Sequence, residues 1–219
     1  IKNIYTKKTL FTPLSMNIAQ DILNLTEEYR DLRVDIFMED KIIFAGKSYR
    51  KLLIRRFLRF PPGYSVRGTY NILRDFVFIP VTNTNNIQGA IKAMDDSPAK
   101  VVVYGEAEEL NDFIKTISQK YNEDISMTTA IVNCVDILQG GVSKAKGLAL
   151  LSEKLGITRD EIIAVGDNIN DIEMLEYAGL GVAMGNALEE VKEKADIVTK
   201  SNDEDGLAYF LETLLSRTS

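Results

Sequence analysis

Beyond Gly140-Gly141 the sequence alternates strand-length apolar runs with helix-length segments, and no other feature restricts the fold so strongly. The order is helix 144–155, strand 161–166, helix 170–178, strand 180–184, helix 187–194, strand 196–199 and helix 204–216. Strict alternation of this kind is the sequence form of parallel β-α units. It predicts an α/β region over 139–219, half of a doubly wound parallel sheet.

The upstream region reads differently. Thr12-Pro13 has the form of an N-cap followed by Pro at the first helical position. Ile18, Ile22 and Leu25 then recur at helical spacing, predicting a helix to about Tyr29. "VDIFMED" (34–40) and "KIIFAG" (41–46) read as a hairpin. "KSYRKLLIRRFLRF" (47–60) carries the helical stripe Tyr49, Leu53 and Phe57. "DFVFIPV" (75–81) reads as a strand, and Pro80 makes it an edge candidate. "AKVVVYG" (99–105) is a buried strand, and Leu110, Phe113, Ile114, Ile117 and Tyr121 form the apolar face of a helix. "ISMTTAIVNCVDIL" (125–138) supplies two more strands. Residues 9–138 are therefore expected to form a mixed α+β domain, with 1–8 as a remnant or linker.

Composition limits the chemistry. The chain has no His, which removes His-based triads, His general bases and nearly all zinc and non-haem iron sites. A bound metal must be held by oxygen, pointing to Mg²⁺ or Ca²⁺. The single Cys134 excludes an internal disulfide and suits a reducing, cytoplasmic setting. No apolar run approaches the roughly 20 residues that span a bilayer, so no membrane partner is expected. The net charge of −6 argues against nucleic acid.

Within that limit the stretch "IIAVGDNINDIEML" (162–175) carries the candidate site. Ligands of an open parallel sheet bind beyond the carboxyl ends of its strands. Gly166 allows a tight turn there, and Asp167 then projects into the crevice as a hard ligand for Mg²⁺. Asn170 and Asp171 open the next helix. Asn170 is also explained as an N-cap in an N-x-x-E capping box with Glu173, and Asp171 as a partner of the helix dipole. Neither explanation accounts for Asp167. Lys144 stands at a helix start after the Gly-Gly break, suited to a phosphate and equally to solvent.

"GVSKAKGLALLSEKLGI" and "IIAVGDNINDIEMLEYAGLGVAMGNALEEVKEKADIVTKSNDEDGLA" resemble the C-terminal core of the Cof-type phosphatases of the haloacid-dehalogenase-like superfamily. The likeness includes the G-D-x-x-N-D motif, the A-M-G-N-A turn and the S-N-D-E-D-G lead into the last helix. More loosely, 9–138 resemble that family's inserted α+β cap domain. The resemblance implies a HAD-like doubly wound sheet, incomplete because only its C-terminal half is recognisable, with a cap. It implies Mg²⁺ held by Asp167 and supported by Asp171, with Asn170 beside the phosphate and Lys144 neutralising it. Lys146 replaces Lys144 if the register shifts, although the helix length from Lys144 to Gly156 favours Lys144. The implied reaction is phosphoryl transfer to an aspartate, in which a second Asp protonates the leaving group and activates water.

The family's nucleophile motif, D-x-D-G-[TS] after an apolar strand, is not found. "DEDG" (203–206) follows Lys200-Ser201-Asn202 rather than an apolar run and reads as a helix start. The second motif, a Thr or Ser at a strand end, is not found either. By domain size, roughly 80 residues are expected upstream. The missing core half is then expected from the same gene product or another chain. Without it, strand 161–166 presents an open edge with Ile162, Ile163 and Val165.

Two functions remain open: a Mg²⁺-dependent phosphatase acting on a small phosphorylated metabolite, and a catalytically silent protein of the same fold that uses its cap for binding. Six basic residues between Lys47 and Arg59 are either a solvated face or an aid to a polyanionic substrate. "GLGVAMG" (179–185) is not a dinucleotide fingerprint, because a helix precedes it and its last Gly comes one place late.

Overall fold

A computed structural model describes residues 12–45, 80–129 and 133–218. The chain divides into two compact units between Gly141 and Val142.

Among the described residues the first unit forms a six-stranded sheet with helices packed on its buried face. Helix α1 (Met16–Thr26) precedes strands β1 (Arg33–Phe37) and β2 (Ile42–Ala45). Strand β3 (Val81–Thr84), helix α2 (Ile87–Ala93), strand β4 (Lys100–Tyr104), helix α3 (Ala107–Tyr121) and strands β5 (Ile125–Thr128) and β6 (Cys134–Gln139) follow. The strand order is β3-β2-β1-β4-β6-β5. All pairings are antiparallel except β2 with β3, which is parallel.

Side chains alternate between the faces of a strand. Val34, Ile36, Ile43, Val101, Val103, Val135 and Ile137 all turn to one face and are almost fully buried. The stripes of α1 (Ala19, Ile22, Leu23) and α3 (Leu110, Phe113, Ile117, Tyr121) complete this core. Each large side chain buried there contributes about 1.5–3 kcal/mol. By the same alternation the other face carries Asp35, Lys100, Tyr104 and Asp136. Lys100 and Asp136 form an ion pair across β4 and β6.

The hairpin at 34–46 forms, and the strand and helix expected at 99–121 form as β4 and α3. Helix α1 starts later than Thr12-Pro13 suggests. Its N-cap is Ser15, whose backbone N–H is held by Gln139 Oε1 at 2.9 Å. A partner distant in sequence sets that boundary. Pro80 immediately precedes β3, which among the described residues lies at an edge of the sheet, and residues 75–79 of the expected strand lie outside them. The basic segment 47–60 lies outside the described residues.

The second unit contains a parallel sheet ordered β7-β8-β9. It runs through helix α4 (Lys144–Leu155), strand β7 (Ile163–Gly166), helix α5 (Ile172–Tyr177), strand β8 (Leu180–Ala183), helix α6 (Glu189–Lys194), strand β9 (Ile197–Val198) and helix α7 (Gly206–Thr218). This is the parallel β-α order expected from the sequence. Its core is built from Ile162, Ala164, Leu175, Ala178, Ala183, Ala187 and Val191.

Among the described residues β7 is paired on one side only, by β8. Ile162, expected on that edge, lies just before β7. It is buried, whereas Ile163 is 42% exposed, because the two-residue period sends neighbours to opposite faces. "DEDG" proves to be a helix start. A 3-10 turn at Asn202–Glu204, boxed by Ser201 and Glu204, leads through Asp205 in the left-handed region (φ 53°) into α7. Among the described residues no helix is long and apolar enough to cross a membrane.

Candidate active site

The site grows from the turn that closes β7. A Cβ on Gly166 would lie 2.5 Å from Asp171 Cβ and 2.8 Å from its Cγ, so only glycine admits the acid there. Asp171 itself is 4% exposed. Its Oδ2 accepts the backbone N–H groups of Asp167 (3.0 Å) and Asn168 (3.1 Å), and its Oδ1 accepts the ammonium of Lys144. Burial pushes this carboxyl up, but Lys144 and the two backbone donors more than offset that, leaving it below the usual carboxylate value.

Asp171 is thus the hub of the turn. The capping residue is Asn168, not Asn170. Asn168 and Asp171 form a reciprocal box around the 3-10 turn Ile169–Asp171. The spacing N-x-x-E pointed to Asn170 with Glu173. A single 3-10 turn ahead of α5 moves the cap two residues earlier.

Lys144 is the first residue of α4, which Ser143 caps by accepting Lys146 N–H at 3.3 Å. Its side chain is about half exposed, with the ammonium drawn to Asp171. The contact spans 27 residues of sequence and ties the start of α4 to the end of β7.

The exposed Asp167 carboxylate has a different partner. Its Oδ2 accepts Asn186 Nδ2 at 3.2 Å. Asn186 lies in the A-M-G-N-A turn beyond β8, and its own Oδ1 accepts the backbone N–H of Asn202 at 2.9 Å. The loops that follow β7, β8 and β9 are therefore joined through one amide. Sequence reasoning quoted that turn without assigning Asn186 a role. The available signal was its place, since a polar residue just beyond the carboxyl end of the second strand of a parallel sheet lies where ligands bind.

Asn170 Oδ1 is buried without a hydrogen-bond partner among the described residues. Such an acceptor is costly unless a donor or cation meets it. Among the described residues no three His, Cys, Asp or Glu side chains cluster as a metal site. Mg²⁺, however, takes one or two carboxylates and otherwise water and substrate oxygens. The carboxylate of Asp167 and the orphaned oxygen of Asn170 fit part of such a shell, and the donor set contains only oxygen. Lys144 brings a positive charge to the same turn through its ion pair with Asp171. Asp171 is committed to holding the turn and the lysine.

The chain is similar to several known proteins. The chain is 40% identical to a putative phosphatase of Haemophilus influenzae over 116 residues, which is 53% of this chain and 44% of that protein. It is 36% identical over 138 residues to the Bacillus subtilis 5-amino-6-(5-phospho-D-ribitylamino)uracil phosphatase YitU, covering 61% of this chain and 51% of the other. The chain spans about half the length of these curated relatives. A crystal structure of a haloacid dehalogenase-like hydrolase from Bacteroides thetaiotaomicron superposes with a TM-score of 0.76 at 25% identity, covering 97% of this chain and 72% of that one. The haloacid dehalogenase-like hydrolase pattern matches residues 1–211, and the chain belongs to that family.

Proposed function

We propose that this chain carries the metal- and phosphate-binding side of a phosphomonoester hydrolase site, dependent on Mg²⁺ and acting on a small phosphorylated metabolite. The observation that carries the reading is the junction of Lys144, Asp171 and the Asp167 turn at the carboxyl end of β7. The phosphatase names of the relatives support it.

In this reading Asp167 and Asn170 hold the metal, and Asp171 supports it by fixing the turn on which both stand. When bound, Mg²⁺ supplies positive charge beside the transferring phosphoryl oxygens. Lys144 adds a second charge, held in place by a buried carboxylate. The exposed Asp167 leaves room for a substrate oxygen to approach.

The attacking carboxylate, which forms the aspartyl-phosphate as the ester oxygen leaves, is assigned to residues outside these 219. The absence of a D-x-D-G-[TS] motif after an apolar strand and the one-sided pairing of β7 among the described residues support this. The region from residue 9 to 138, which lies within the first unit, is assigned the role of the cap that selects the substrate.

The test is phosphate release from p-nitrophenyl phosphate by the intact protein. Release that requires Mg²⁺, is lost with EDTA and falls on the order of 100-fold or more in Asp167→Asn supports the reading. Because Asp167 is exposed, the same variant should unfold within about 0.5 kcal/mol of the wild type. A properly folded intact protein that releases no phosphate would instead favour the silent binding protein.

A further inference from the structure

The two hydrogen bonds of Asn186 leave its amide no choice of orientation. A backbone N–H can only donate, so the side-chain oxygen must face Asn202 N, which it does at 2.9 Å. The amide nitrogen is then presented to Asp167 Oδ2 at 3.2 Å. The turn that carries Asn186 is fixed from both sides. Met184 N–H donates to Gly166 O at 2.9 Å and Gly185 N–H to Lys200 O at 3.0 Å. A Cβ on Gly185 would meet Ser201 N at 2.7 Å, so the turn lies flat against the segment leading to α7.

One oxygen of Asp167 is therefore occupied by a donor, while among the described residues its Oδ1 accepts no hydrogen bond. A carboxylate held in this way turns one oxygen toward its donor and leaves the other the freer to meet a metal. That distinction separates the two cations an all-oxygen site accepts. Mg²⁺ is small, octahedral and satisfied by single-oxygen ligation. Ca²⁺ takes more ligands at longer range and readily uses both oxygens of one carboxylate.

We propose that Asn186 is a specificity-determining residue for the metal: by occupying Asp167 Oδ2 it restricts that carboxylate to one-oxygen ligation and favours Mg²⁺ over Ca²⁺. The inference rests on the metal-site reading of Asp167 given above. It gives Asn186 a positioning role, without contact to the reacting atoms.

The experiment measures the dissociation constants of Mg²⁺ and of Ca²⁺, each added alone as its chloride, by calorimetric titration of the intact protein. The readout is the ratio of the two constants and needs no turnover. Asn186→Ala removes the donor to Asp167 together with the contact to Asn202. Asn186→Asp keeps the acceptor for Asn202 N–H, removes the donor and adds a negative charge that draws both cations, which is why the ratio is read. Both variants are expected to shift the ratio toward Ca²⁺, roughly fivefold or more, because Asp167 regains its second oxygen.

A ratio within twofold of wild type in the alanine variant overturns the proposal. So does a shift confined to the alanine variant, since the contact with Asn202 then accounts for it. If the alanine variant does not fold, Asn186→Val, which likewise lacks the donor and adds no charge, replaces it under the same criterion. Wild-type protein that binds neither ion, or whose binding survives Asp167→Asn, overturns the metal-site reading and this inference with it. Wild-type binding lost in Asp167→Asn, with an unchanged ratio in the Asn186 variants, removes this inference alone.

Discussion

Asp35 is a carboxyl held at a cost, and replacing it with asparagine should strengthen the first unit. It sits mid-strand in β1, between Phe44 of β2 and Val102 of β4. Burial pushes it up from 3.8 to about 6, against the hydrogen bond from Tyr104 and the charge of Arg33, which pull it down. The native state thus favours the neutral acid. Stability from this group is fully present below the unfolded value near 3.8 and is lost as pH rises through about 6. At 1.36 kcal/mol per unit, the ionised form costs about 3 kcal/mol at neutral pH. Asparagine is never charged and can still accept from Tyr104. Allowing for its own burial, the expected gain at pH 7.5 is about 1–3 kcal/mol, shrinking toward zero near pH 4. Amide hydrogen exchange at Val34, Ile36, Val101 and Val103 reads this sheet separately from the second unit. Compared at the same pH, Asp35→Asn should slow exchange roughly tenfold to a hundredfold at pH 7.5 and leave it nearly unchanged at pH 4. A ratio of wild-type to variant exchange that is flat from pH 4 to 7.5 would refute the argument.

Lys144→Met strands the buried Asp171 carboxylate. It should destabilise the second unit by about 1–3 kcal/mol, less than a fully buried pair because Lys144 is half exposed. Asp171 lies below the usual carboxylate value in the wild type, so its contribution is present above that value and is lost only as pH falls through the depressed one. In the variant the loss should begin at higher pH, which acid titration followed by circular dichroism measures. Gly166→Ala drives a methyl to 2.5 Å from Asp171 Cβ. It should cost about 2 kcal/mol or more by urea denaturation, and a variant as stable as wild type would show that the turn yields freely.

Legibility from sequence followed the range of the interactions. The strand–helix order of 144–218 was readable because each segment carries its own periodicity, and a parallel sheet buries its strands as continuous apolar runs. The β7 turn was also readable, since Gly166, Asp167 and Asp171 are neighbours in the chain. What escaped depended on distant partners. The start of α1 is set by Gln139, more than a hundred residues away. The reach of Asn186 to both Asp167 and Asn202 exists only once three loops meet. The cap of the 3-10 turn was misplaced by two residues because Asn168 and Asn170 are both acceptable caps and only the turn geometry chooses between them.

In the proposed function the tie between Lys144 and Asp171 makes chemistry and architecture share one bond. A descendant that stopped using the reaction would gain nothing by discarding the lysine, because the acid beneath it would be left charged in a dry place. Selection for folding alone would preserve the pair long after turnover had ceased. The pair alone therefore says less about turnover than its conjunction with the surface carboxylate of Asp167, on which the fold hardly depends and which, holding a metal as proposed, would be free to drift as soon as that ion was no longer needed.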